Sequence, residues 1–141
     1  MTEFEYFIKK GEVKKKEKDE ILAFALIKSS EKGEKHIKKQ ELSEENAEYI
    51  VADASDMVRE LIEAKLAIDG YKSYSHEATV SYLKKFHEIS EQEVIFLDNL
   101  RKIRNGIKYY GKEATKEDAE KTIFLINQII LKLKKLVKNA R

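Results

Sequence analysis

The 141-residue chain has no cysteine, no proline and no tryptophan, and only five glycines and two methionines. Without cysteine there is no disulfide framework, no thiolate nucleophile and no thiolate metal site, which fits a reducing cytoplasm. Without proline, nothing in the chain removes an amide donor from a helix interior. No N-terminal segment resembles a secretory leader. The longest mostly apolar run, Ile123 to Leu131, is broken by Asn127 and Gln128 and falls well short of the ~20 residues of a membrane span. A phosphate loop ending in Lys-Ser or Lys-Thr, a dinucleotide fingerprint and His-Glu-x-x-His are all missing. The three histidines, His36, His76 and His87, have no spacing that points to a shared metal. The expectation is a cytoplasmic, membrane-free protein with no cofactor and no metal.

What the chain does contain is charge of both signs, 28 basic residues against 26 acidic ones, for a net charge of +2. Global charge therefore does not announce nucleic acid. Lys9, Lys10, Lys14, Lys15, Lys16 and Lys18 crowd the start, and Lys132, Lys134, Lys135, Lys138 and Arg141 the end. These read as solvated ends, the second set also complementing a helix dipole. Hydrophobic residues make up 42% of the chain, enough for one core, so residues 1–141 read as a single domain. Its main body spans about 19–139, and residues 1–18 form a short lead helix and a lysine-rich connection. The Lys- and Glu-rich composition also resembles a thermophile's surface.

Periodicity and caps divide the chain into helices. A lead over Glu3 to Lys10 puts Phe4, Phe7 and Ile8 on one side and stops near Gly11. The first long helix runs from about Asp19 to Gln40, with Leu22, Ala25, Leu26, Ser29, Gly33 and Ile37 as its inward stripe. Ser43, followed by Glu44 and Glu45, starts the next, which Asp69-Gly70 ends. Ser75 caps a shorter helix carrying Ala78, Tyr82, Leu83 and Phe86. Ser90 and Glu93 have the spacing of a capping box and open a helix that runs to Tyr110. The last helix begins at Thr115 and is apolar on more than one face, as in a central or an interface helix. No segment alternates with period two, so no sheet is expected. The fold class is all-α, an antiparallel up-and-down bundle of four to five helices.

One segment carries chemistry, Leu100 to Gly111. Arg101, Arg104 and Lys108 recur at three and four residues and form a cationic stripe along one helix face. Only four arginines exist in the chain, and two are here. Arginine presents a planar fork that matches phosphate, which lysine does not. Tyr109 and Tyr110, at the helix end, can stack on bases or hydrogen-bond a phosphate. Structural readings compete: Arg101 pairs with Asp98 or Glu93, and the tyrosines serve the core with wet hydroxyls. Gly106, inside the helix, costs ~1 kcal/mol relative to Ala, which suits close approach of another helix or a ligand.

Taken together, Phe7 to Gly11 with Val13, Glu63 to Tyr71, Ser75 to Ala78 with Tyr82-Leu83, and above all Leu97 to Asn105 with Ile107 and Tyr109-Tyr110-Gly111 resemble the HEPN family. This is a family of helical domains of prokaryotes and higher eukaryotes, and the resemblance is greatest to its compact archaeal members. It implies a helical bundle that forms a homodimer, with the Arg-Asn segments facing a shared cleft. The ribonuclease members carry an Arg followed after four to six residues by a His, and cleave RNA without metal. Here Arg104 and Asn105 match the start of that motif, but its histidine window holds Tyr109, Tyr110 and Gly111. A tyrosine, at pKa ≈ 10, is a poor proton acceptor at neutral pH.

The resemblance therefore implies a non-catalytic or weakly catalytic dimer that binds RNA, a nucleotide or a partner protein. The lining would be Arg101, Arg104, Asn105, Lys108, Tyr109 and Tyr110. The partner implied is a minimal nucleotidyltransferase, as in a toxin–antitoxin-like pair. The alternative is a metal-independent endoribonuclease, with Arg104 holding phosphate and Tyr109 or a displaced histidine moving the proton. A third reading is an assembly module whose arginines form only structural ion pairs.

Overall fold

The computed structural model describes residues 3–139; Arg141 of the C-terminal basic set lies outside them. Six helices are present among these residues: α1 (Phe4–Lys9), α2 (Glu20–Lys39), α3 (Ala47–Asp69), α4 (His76–Ser81), α5 (Glu91–Tyr110) and α6 (Lys116–Asn139). A 3-10 turn, Tyr82–Lys85, continues α4. The four long helices make an all-α bundle, and the expected lead helix and Ser75-capped helix are present as α1 and α4, six residues each.

The bundle is organised around α3. Ile50, Val51, Ala54, Val58, Leu61, Ile62 and Leu66 are all buried, and both α2 and α6 pack against this helix. Helix α6 contributes Ile126, Ile129, Ile130, Leu133 and Leu136 to the same core. Phe124 and Leu131, one heptad apart on α6, remain 65% and 63% exposed. Two ion pairs hold α6 to its neighbours: Lys132 to Glu93 of α5 and Lys134 to Glu34 of α2, each at 2.8 Å. No helix among the described residues is long and apolar enough to cross a membrane.

Several local expectations need correcting. The inward face of α2 is Ala23, Ser30 and Ile37, with Leu26, Ile27, Gly33 and Glu34 half-buried, whereas Leu22, Ala25 and Ser29 are exposed. The run Ile21 to Ile27 is apolar on every face, so periodicity could not choose one. The choice falls to the contact with α3, where buried Ser30 donates its hydroxyl to the Met57 carbonyl at 2.9 Å. Helix α3 starts at Ala47, not at Ser43. Ser43 and Asn46 close the preceding turn, the Ser43 amide donating to Asn46 Oδ1 at 2.8 Å and the Asn46 amide to Ser43 Oγ at 3.3 Å. Glu44 instead accepts from the Lys116 amide at the start of α6, an acid at a helix N-terminus, though of a different helix.

A sheet is also present. β1 (Val13–Lys15) pairs antiparallel with β2 (Tyr71–Ser73), Val13 opposite Ser73 and Lys15 opposite Tyr71. Three residues per strand are too few to show alternation. The pairing is fixed by Gly70, whose φ of 89° turns the chain out of α3. A Cβ at that position would lie 2.9 Å from the Lys16 carbonyl oxygen. Backbone bonds from Lys16 to Gly70, Asp19 to Ala67 and Tyr74 to Glu12 extend this clasp. Phe4, Phe7 and Val13 are buried in the same core as the long helices, so the lead helix and β1 are packed against the bundle.

Candidate functional site

Three segments far apart in the chain build one recess. Helix α3 supplies Arg59 and Glu63, the β2–α4 strip supplies Lys72, Ser73, Tyr74, Ser75, His76 and Thr79, and α5 supplies Arg104, Asn105 and Tyr109. The cavity they line has a volume of about 490 Å³. A larger recess of about 620 Å³, with Phe96, Ile103, Ile107 and Leu125 among its walls, opens between α5 and α6. Its charged lining is Lys102, Lys112, Glu113, Asp118 and Lys121, with no arginine and no histidine; Arg59 and Arg104 line the smaller recess.

Each wall is locally fixed. Ser75 caps α4 by accepting from the Ala78 amide at 3.2 Å, which puts His76 in the first turn. The hydroxyls behind it are tied together: Thr79 donates to Ser73 Oγ at 2.9 Å, and Ser73 donates to the Ser75 carbonyl at 2.8 Å. On α5, the Ser90–Glu93 capping box is present in full, its two bonds at 2.8 and 3.1 Å. Gly111, at φ 66°, ends the helix just beyond Tyr109 and Tyr110.

Asp56 organises the cations. Arg104 Nε donates to its carboxylate at 3.0 Å, and Arg59 lies 3.7 Å from the same oxygen. Arg104 Nη1 also reaches Asn105 Oδ1 and the Tyr109 hydroxyl, both at 3.4 Å. The guanidinium sits beside the Tyr109 ring, 5.7 Å from its centroid, within cation–π range. Arg59 pairs loosely with Glu63 at 3.7 Å, and its buried Nε has no hydrogen-bond partner. Such an orphaned donor costs free energy until something accepts from it. Burial holds the Glu63 carboxyl above the usual carboxylate range, against the pull of Arg59 and Lys72.

Electrostatically, His76 is the centre of this arrangement. Burial first, then the charges of Arg59 and Arg104, push its pKa down from 6.5 to about 4, opposed by Asp56. Arg101 adds to the same field. Three of the four arginines in the chain therefore converge on one neutral imidazole. The imidazole is therefore neutral near neutral pH, with a nitrogen lone pair free to accept a hydrogen bond, and its cationic neighbours are suited to an anion.

The expected site residues divide. Arg104, Asn105 and Tyr109 line the recess. Arg101 stands behind it, against Val58, Ile62 and His76, with its Nε 2.9 Å from Asp98 and Glu77 at 4.0 Å. The pairing with Asp98, one of the structural alternatives, is thus the one adopted. Lys108 is exposed and acts on Asp53, whose carboxyl burial raises. Tyr110 is 79% exposed and does not line the recess. Gly106 is approached by no other helix: the aliphatic chain of Lys112 folds over it, 3.0 Å from where a Cβ would stand.

Sequence reasoning overlooked Arg59, Asp56 and Glu63, and it singled out His76 only as one of three histidines with no shared metal spacing. The available signal was the rarity of arginine in a chain that otherwise uses lysine for its positive charge. Among the described residues, no three His, Asp or Glu side chains converge as a metal-ligand set. No family model, no curated protein sequence and no solved structure matches this chain.

Proposed function

We propose that the chain is a HEPN-like domain that binds RNA or a nucleotide by its phosphate in the recess of Arg59, His76, Arg104, Asn105 and Tyr109, with little or no catalytic power of its own. The observation that carries this reading is that two of the four arginines, Arg59 and Arg104, line one cavity and share Asp56, while Arg101 behind it adds to the same positive field on His76. Guanidinium groups held by a carboxylate are pre-aligned for a phosphate, and their pairing costs less to rearrange than free side chains cost to order. The exposed Phe124 and Leu131 of α6 suit a subunit contact, so we take the working unit to be a homodimer. The resemblance to HEPN domains adds a minimal nucleotidyltransferase as the partner of a toxin–antitoxin-like pair, in the cytoplasm that a cysteine-free chain suits.

The test is fluorescence anisotropy with a labelled eight-nucleotide single-stranded RNA. Replacing Arg104 or Arg59 by alanine should weaken binding roughly tenfold or more, the worth of a charge-assisted hydrogen bond, and should flatten the salt dependence. Equal affinity in all three proteins would sink the reading.

A second reading, metal-independent RNA cleavage, is favoured by His76. It stands in the recess beside Arg104, where a ligand's 2′-hydroxyl would meet its nitrogen lone pair, although the field that keeps it neutral also makes it a weak base. Incubating end-labelled RNA with the protein in EDTA separates the two. Cleavage lost in both His76→Ala and Arg104→Ala would establish the nuclease; no cleavage by the unmodified chain would leave the binding module.

A further inference from the structure

The rim of the recess carries two exposed aromatic rings, and what they add rests on the phosphate reading above. Tyr74 stands on the connection between β2 and α4, and Tyr109 in the last turn of α5, so they belong to different walls. Tyr74 is 60% exposed and Tyr109 68%. Tyr71 and Tyr82 make the contrast, since they pack with Phe4 in an aromatic cluster. Both rim rings have a cation close by. Lys14 Nζ lies 5.8 Å from the Tyr74 centroid, and the Arg104 guanidinium 5.7 Å from that of Tyr109. A cation on one side of a ring steadies it while the exposed remainder stays open to a second flat group. Below the rims lie the two guanidinium groups, one with a buried Nε that makes no hydrogen bond and lies 3.7 Å from Glu63. The volume, about 490 Å³, falls within the ~300–1,000 Å³ of sites that hold molecules of nucleotide size.

We propose that the recess takes an unpaired dinucleotide step, one phosphate against Arg59 and Arg104 with a base laid on Tyr74 at one rim and on Tyr109 at the other. Every base has a π-face, so such a site tolerates sequence and selects instead for strands whose bases are free to splay. In a duplex the base faces are already covered by their neighbours, and the recess has nothing to stack. Tyr74 thereby becomes a binding residue, and the ligand becomes single-stranded nucleic acid rather than a helix.

Anisotropy tests this with three labelled probes of eight residues: oligouridylate, an abasic strand with the same phosphates, and a perfect RNA duplex. Tyr74→Ala should weaken oligouridylate binding about 5- to 150-fold, whereas Tyr74→Phe should hold it within about twofold, because the ring does the stacking. The abasic strand, which loses the stack at both rims, should bind the unmodified chain more weakly than oligouridylate binds Tyr74→Ala, and the duplex should be weaker than oligouridylate. Abasic and uridylate strands that bind equally, with Arg104→Ala still weakening both, would overturn the stacking site and leave the phosphate reading intact. If Arg104→Ala weakens neither, the phosphate reading fails and this proposal fails with it. Tyr74 is exposed, so circular dichroism of its variants should match the unmodified chain.

Discussion

His76 is a residue whose burial and charged neighbours work in the same direction. Its pKa in the folded chain is about 4, against 6.5 in the unfolded one. Between those values the unfolded chain binds more protons, so its population gains as pH falls. The stabilisation from a neutral His76 is complete above about pH 6.5, declines through the window and is gone below about 4. His76→Gln keeps a polar side chain that cannot titrate. Urea midpoints measured from pH 7.5 to 4 should fall more steeply for the unmodified chain than for this variant. Parallel curves would mean that His76 meets neither the burial nor the arginine field described. The residue also marks the limit of the sequence. Ser75 as a cap was legible from local spacing, and so was the polar place beside it. That Arg59, Arg101 and Arg104 surround His76 was not, because α3, α4 and α5 meet only through the packing of the whole bundle.

At the scale of the element, boundaries were the most legible feature wherever a cap satisfies amides within one turn. Asp19, Ser75, Ser90 and Thr115 all accept from the amide three residues on. Ser43 makes the same bond, accepting from the Asn46 amide, but it closes a turn that precedes α3 and so marks no helix start. The hidden elements were those that no local pattern can hold: two strands of three residues, paired across almost sixty positions. The face of α2 was hidden for a different reason, being apolar all round over its first two turns. The capping box of α5 gives a clean measurement. Ser90→Ala removes the bond to the Glu93 amide and should cost about 1 kcal/mol, read as a lower urea midpoint at an unchanged slope. Because Lys132 of α6 also holds Glu93 at 2.8 Å, a cost well under 0.5 kcal/mol would mean that this ion pair fixes the start of α5 without the serine.

For the molecule as a whole, the all-α class followed from the absence of proline, the caps and the three-and-four spacing. The layering did not, because it depends on which helix is surrounded. Helix α6 reads as the widely apolar one, yet α3 is in the centre, its small residues Ala47, Ala54 and Ala64 letting neighbours approach on several sides. Leu61, 1% exposed, lies at the middle of that helix. Leu61→Ala should destabilise the fold by about 2–5 kcal/mol, measured by urea denaturation. A loss under 1 kcal/mol would mean that the core around α3 closes over the gap.

The clasp between β1 and β2 has a consequence for where this chain can be cut. The wall that carries Lys72, Tyr74 and His76 hangs on residues 12–19 chiefly by backbone bonds: a ladder, the Tyr74 amide to Glu12, and the Lys16 amide to Gly70. A shortened chain beginning at residue 19 would still spell every side chain of the recess and all four long helices. It would lack the edge against which one wall is aligned. A fragment of that kind can be helical by every optical criterion and still fail to bind. The N-terminal eighteen residues would then act as scaffolding for a site to which, apart from Lys14 beside Tyr74, they lend no side chain.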